Sequence, residues 1–120
     1  MRIKDPEYPA AVEAAVEILR KRARQGETIT YGDLSAELKT QGFDSIPPHR
    51  GIMTHLLKDV CLYSNEDGRA PMLSVIVVNK ASREPSVQFS SLARSLPFGR
   101  SAAWSWQDEL QNVFTQYRGK

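Results

Sequence analysis

The sequence predicts an α+β fold: a mainly helical single domain with a winged-helix-like helix-turn-helix core, a β-hairpin and flanking N- and C-terminal helices. Three observations carry this. Thr30 opens a short apolar-periodic run and has Asp33 three residues later, a variant of the capping box that marks a helix start. Residues 49–60, from His49-Arg50-Gly51-Ile52-Met53 to Asp59-Val60, place apolar side chains on one side of a further helix and polar ones on the others. Residues 72–79, Met72-Leu73-Ser74-Val75-Ile76-Val77-Val78-Asn79, are β-branched and almost continuously apolar, as in a buried strand. A capped helix, a helix with basic residues and a strand, in that order, fit a helix-turn-helix followed by a wing. The core covers about residues 27–90.

The whole-chain numbers set bounds. A chain of 120 residues, 41% hydrophobic, is long enough to bury a core without covalent staples. Its 16 Lys and Arg against 14 Asp and Glu leave a net charge of +2, so bulk charge selects no partner and a local basic face must decide. Cys61 is the lone cysteine, which excludes an intramolecular disulfide and a four-cysteine or Cys/His zinc cage. A free thiol fits a reducing compartment. No stretch approaches the roughly 20 apolar residues of a membrane span. The polar start Met1-Arg2-Ile3-Lys4-Asp5-Pro6 lacks the apolar centre of a signal peptide. The expected location is cytoplasmic, without membrane association.

The N-terminal helix is expected over about residues 6–24, with Pro6 and Pro9 tolerated near its start and Tyr8, Val12, Ala15, Val16 and Leu19 forming its apolar stripe. Arg20, Lys21, Arg22 and Arg24 crowd its end, where cations complement the helix dipole. Gly26 is its left-handed cap. The helix at Thr30 continues through Leu34, Ala36 and Leu38 to a break at Gly42 and Pro47-Pro48, and Ser45 is a candidate cap for the next helix. There Ile52, Leu56, Val60 and Tyr63 share one side, broadened by Met53 and Leu57. After the turn-rich loop Ser64-Asn65-Glu66-Asp67-Gly68-Arg69 comes the strand. Residues 80–85 turn the chain, and Val87 to Phe89 return as a second strand, completing a hairpin with Lys80 and Arg83 near its tip. Ser90 to Ser95 hold one or two helical turns. A last helix over about residues 101–117 puts Trp106, Leu110, Val113, Phe114 and Tyr117 on one face, with Trp104 packed against Pro97-Phe98.

A search for chemistry finds no constellation. Cys61 lies beside Val60 and Leu62 with no adjacent cation to favour the thiolate, and reads as a small buried hydrophobe. His49 and His55 stand six apart, which does not bring two ligands onto one helix face. Asp108-Glu109 opens the last helix, where acids suit the dipole. Phosphate-loop, dinucleotide and serine-hydrolase motifs are absent. No catalytic residue, metal, cofactor or small-molecule substrate is expected.

Nucleic-acid binding has a concrete set of candidates. Arg50, Thr54, His55 and Lys58 on the basic helix could meet bases and phosphates, and Lys80 and Arg83 on the hairpin could meet phosphates. Thr30 and Tyr31, at a helix N-terminus with outward N–H groups, offer a further phosphate contact. The same residues also suit the solvated faces of any small domain.

Gly26-Glu27-Thr28-Ile29-Thr30-Tyr31-Gly32-Asp33-Leu34 resembles the segment that opens the helix-turn-helix of DNA alkyltransferases that repair alkylated guanine, and of alkyltransferase-like proteins. That family continues with a recognition helix and a Pro-Cys-His-Arg-Val active-site segment. Pro47-Pro48-His49-Arg50 mimics the latter but precedes the candidate recognition helix. The match that preserves order is Pro71-Met72-Leu73-Ser74-Val75, in which Met72, Leu73 and Ser74 replace cysteine, histidine and arginine. The resemblance thus implies a double-stranded DNA partner without alkyl transfer. Residues 70–80, with Phe89, Leu92, Ala93 and a tryptophan-bearing last helix, also resemble a group of small bacterial domains from phage, mobile-element and defence settings. That group has a glycine-rich hairpin tip where this chain has Ala81-Ser82-Arg83-Glu84-Pro85-Ser86.

The expected function is therefore a non-enzymatic, bacterial DNA-binding module, regulatory or linked to defence. The alternative is a protein-binding inhibitor or immunity-type protein that uses aromatic anchors such as Phe98, Trp104 and Tyr117.

Overall fold

Seven regular elements and a short 3-10 turn follow from the computed structural model, which describes residues 1–43, 46–48, 51–64, 70–101 and 103–118. Helix α1 is Tyr8–Arg24, strand β1 Ile29–Thr30 and helix α2 Tyr31–Thr40. Helix α3 is Gly51–Ser64; the 3-10 turn Leu73–Ile76 leads directly into strand β2, Val77–Val78. Helices α4, Val87–Arg94, and α5, Trp106–Tyr117, complete the chain. The Cα radius of gyration is 13.3 Å, against about 13.6 Å for one compact domain of this length.

Local signals explain the first two helices. Pro9 sits in the first turn of α1, where its missing N–H costs nothing. Gly26, at φ 69°, ends the helix: its N–H donates to the Ala23 carbonyl and the Glu27 N–H to that of Arg22. That is the two-bond glycine cap, and α2 repeats it with Gly42 at φ 95° and the Phe43 N–H on the Leu38 carbonyl. Thr30 caps α2 as its spacing predicts, its Oγ1 accepting from the Asp33 N–H at 3.1 Å. The expected cap Ser45 lies outside the described residues, as do His49 and Arg50.

Helix α1 is the central support, packed against α2, α3, α5 and the 3-10 turn. Its stripe of Tyr8, Val12, Ala15, Val16 and Leu19 is buried, widened by Ala11, Ile18 and Ala23. Arg22 near its end is not a free cation: its guanidinium bonds Glu37 of α2 at 3.0 Å. On α3 the buried set is Met53, Leu56, Leu57, Val60 and Cys61, while Tyr63, expected on that stripe, is 53% exposed. The burial axis of α3 is therefore rotated towards Cys61, whose Sγ meets the Ser74 Oγ at 3.1 Å.

The structure corrects the hairpin. Residues 72–78 are buried throughout, as their composition predicts, but most of them form no ladder. Leu73–Ile76 close a 3-10 turn and only Val77–Val78 pair, in parallel, with Ile29–Thr30. Continuous apolarity demands burial, not a strand partner, so it cannot separate the two outcomes. The pairing is parallel because α2 and α3 form the crossover between the strands. Residues 79–84 do turn, the Asn79 N–H donating to the Glu84 carbonyl and the Arg83 N–H to that of Asn79, both at 2.8 Å. The chain then enters α4 instead of a return strand. Phe89, Leu92 and Ala93, spaced three and four apart, face the core from a helix. The wing is thus a turn and a helix. The α+β, mainly helical class stands.

A second correction concerns Glu109. It is 4% exposed, with no solvated role at the start of α5. Its carboxylate accepts from the Met72 N–H at 2.8 Å, from Arg100 Nε at 2.8 Å and Nη2 at 3.2 Å, and from the Trp104 indole at 2.7 Å. Arg100 also donates to the Ala70 and Phe98 carbonyls. Trp104 packs on Phe89 of α4, with ring centroids 5.8 Å apart. Burial by itself would raise the Glu109 pKa; the hydrogen bonds from Arg100, Met72 and Trp104 outweigh it, and the carboxyl is held below its ordinary value.

A depressed folded-state pKa stabilises the protein above the unfolded value, about 4.3, and that contribution is lost as pH falls through the folded value. Glu109→Gln should cost about 3 kcal/mol at neutral pH by leaving the part-buried Arg100 without its carboxylate. Urea denaturation of both proteins from neutral to acid pH should show the difference shrinking as the wild-type carboxyl gains its proton.

Candidate nucleic-acid interface

The candidate residues gather along one side of the molecule, built from the α2 N-terminus, the outer face of α3, the 79–84 turn and α4. Thr30, Tyr31, Gly32 and Asp33 line an open hollow of about 360 Å³ together with Lys80 and Arg83. The parallel β1–β2 pair makes this possible. Thr30 lies opposite Val78, so the turn that follows β2 emerges beside the helix that follows β1. Tyr31 is shared with the next hollow, about 160 Å³, lined also by Pro48, Thr54, Asn79, Ser86 and Gln88. Thr54 and Gln88 are shared in turn with a hollow of about 400 Å³ containing Gly51, His55, Lys58 and Leu92. Seven of the eight sequence candidates, Thr30, Tyr31, Thr54, His55, Lys58, Lys80 and Arg83, line this adjoining series; the eighth, Arg50, lies outside the described residues.

Their individual settings differ. Lys58, Lys80 and Arg83 are exposed and Thr54 projects to solvent. Tyr31 is buried, and its hydroxyl accepts from the Ser86 N–H at 3.1 Å, fastening the entry of α4 to the start of α2. Its side chain therefore shapes the face, while the first turn of α2 supplies the positive helix end. Arg83 stands at φ 60°, a left-handed conformation that costs a non-glycine residue roughly 1–2 kcal/mol. The turn's hydrogen bonds and a 3.2 Å bond from its Nη2 to the Thr28 Oγ1 hold it there. An arginine thus occupies a position where glycine would be less strained. The anions nearby among the described residues include Asp33, in the first hollow, Glu84, exposed beside Arg83 in the turn, and Asp59, behind His55.

Sequence reasoning missed Gln88 and Ser86, because Val87 to Phe89 were expected in a strand and Ser86 at the hairpin tip; the helical spacing of Phe89, Leu92 and Ala93 was the available signal. Between α3 and α4 lies a further slot lined by Tyr31, Thr54, Leu57, Ser74, Ser86 and Phe89. At about 20 Å³ it has room for about one water molecule.

Met72, Leu73 and Ser74, at the order-preserving match to the alkyltransferase active-site segment, are all buried. Cys61 abuts that segment from α3 but is itself fully buried. Burial pushes its thiol pKa up, and the hydrogen bond to Ser74 only partly opposes this. Among the described residues no group of three or more His, Cys, Asp or Glu could hold a metal ion, and no helix is long and apolar enough to cross a membrane. Of the aromatic anchors of the protein-binding alternative, Phe98 is buried, and Trp104 and Tyr117 are partly buried against the core.

Compared with protein-family models, curated proteins and solved structures, the chain has no match.

A buried thiol with a raised pKa should label slowly. Cys61 should react with a disulfide probe at neutral pH much more slowly in the native protein than in denaturant, where it should approach the rate of a free thiol. Fast native labelling would contradict the buried Cys61–Ser74 contact.

Proposed function

We propose that this protein is a non-enzymatic DNA-binding module that holds duplex DNA along the face formed by the α2 N-terminus, α3 and the 79–84 turn. A regulatory or defence role belongs to the same proposal and rests on the sequence resemblance. The observation that carries the reading is the convergence of Lys58, Lys80, Arg83 and the α2 N-terminus on one run of open hollows, although the chain's net charge is only +2. Such a run suits a phosphate backbone, because cations separated by neutral hydroxyl and amide groups can follow successive phosphates. Thr54 and Gln88, between the two cationic ends, supply hydrogen-bonding groups of the kind that meet base edges. Arg83 adds support, since it places an exposed cation on this face at a position whose backbone favours glycine. Supporting DNA over a protein partner is the burial of Phe98 and the partial burial of Trp104 and Tyr117 against the core, which reduces the surface those anchors would offer.

Fluorescence anisotropy of a short labelled duplex should show binding that weakens steeply with salt as counterions are released. Lys58→Ala should weaken binding and lower the slope of log K against log salt by about one, and the double variant Lys80→Ala/Arg83→Ala by about two. Unchanged affinity in both variants would remove this face as the contact surface.

A further inference from the structure

We propose that His55 makes DNA binding by this face proton-dependent, a regulation of the site proposed above that rests on that reading. His55 Nε2 lies 3.3 Å from Asp59 Oδ2, one helical turn further along α3. The same oxygen accepts from the Tyr8 hydroxyl at 2.6 Å. Tyr8 is buried at the start of α1, its ring 6.0 Å from the imidazole. Burial, then the bond to Asp59 and its charge, push the Tyr8 pKa up, so Tyr8 remains a neutral donor near neutral pH. The Asp59 carboxylate is therefore fixed from behind by a group that does not cancel its charge, and its front meets the imidazole.

The imidazole also borders the hollow it shares with Lys58. Of the described residues that contact the imidazole or line its hollow, the titratable and charged ones are Asp59 and Lys58 on α3 and Tyr8 on α1, while α4 contributes the uncharged Gln88 and Leu92. With neutral His55, among the described residues the charge of Asp59 is matched by no cation on the imidazole side, and the hollow carries the charge of Lys58 alone. A proton on His55 pairs with Asp59 and adds one positive charge to the hollow that Lys58 also lines. Histidine is the side-chain type whose charge can change between pH 5 and pH 8. One unit of charge on the face then separates a weaker from a tighter binding state.

The test is anisotropy with the same labelled duplex at about pH 6 and about pH 8, at matched ionic strength. The wild type should bind about two- to fivefold more tightly at the lower pH, the change expected of one additional exposed charge pair. Its salt slope should also be steeper there by about one. His55→Gln should bind equally at both values, near the weaker wild-type state. His55→Lys, which retains a cation beside Asp59, should match the tighter state at both. Circular dichroism of each variant checks that it is folded, and the lysine variant tests the proposal even if the glutamine variant is not. Equal wild-type affinity at the two pH values, or an unchanged pH response in His55→Gln, would overturn the inference and leave the DNA reading intact. Absence of binding at either pH, even at low salt, would overturn both.

Discussion

The buried carboxylate of Glu109 is the constraint on which the second half of the structure depends. An ionised carboxylate out of water is costly unless its acceptor sites are filled. Here they are filled by the Met72 N–H, the Arg100 guanidinium and the Trp104 indole. Through Arg100 the same group reaches the Ala70 and Phe98 carbonyls. One side chain thus ties together the approach to the 3-10 turn, the segment after α4 and the start of α5. With Met72 fixed, Leu73–Ile76 settle between α1, α3 and α5, and the two residues that follow reach β1.

From that anchoring the surface follows. The parallel pair Ile29–Val77 and Thr30–Val78 delivers the 79–84 turn beside the first turn of α2. Arg83 is then held by Thr28, and Tyr31 by Ser86. Helix α4 borders the same hollows as α3, so that Gln88 joins Thr54 in the middle of the run. None of the cations is buried; the scaffold fixes where their backbones leave the surface, and solvent keeps their charges inexpensive.

Much of this was legible in the sequence. The cap at Thr30, the glycine stop at Gly26 and the stripe of α1 are local signals, dictated by backbone donors and by a period of 3.6, and they hold in the fold. What was not legible depended on partners distant in the chain. Nothing local in residues 73–76 separates a buried 3-10 turn from a buried strand. Nothing local shows that Glu109 points inward, because its charge is satisfied by groups at positions 72, 100 and 104. The misassigned return strand is different. Phe89, Leu92 and Ala93 carried a helical period, but the expectation of a wing outweighed it. Without a second strand, the 79–84 turn still brings Lys80 and Arg83 to the α2 N-terminus.

The central claim is that one face, spanning the start of α2, the outer side of α3 and the 79–84 turn, meets duplex DNA. A two-dimensional ¹H–¹⁵N NMR titration with a short duplex tests it most directly, because every backbone N–H outside the prolines reports separately. Shifts should cluster at residues 30–33, at Thr54, His55 and Lys58, and at residues 80–83. The equally basic end of α1, Lys21 and Arg24, should stay unmoved. Shifts concentrated at that end of α1 or along α5, or no shifts at low salt, would contradict the claim.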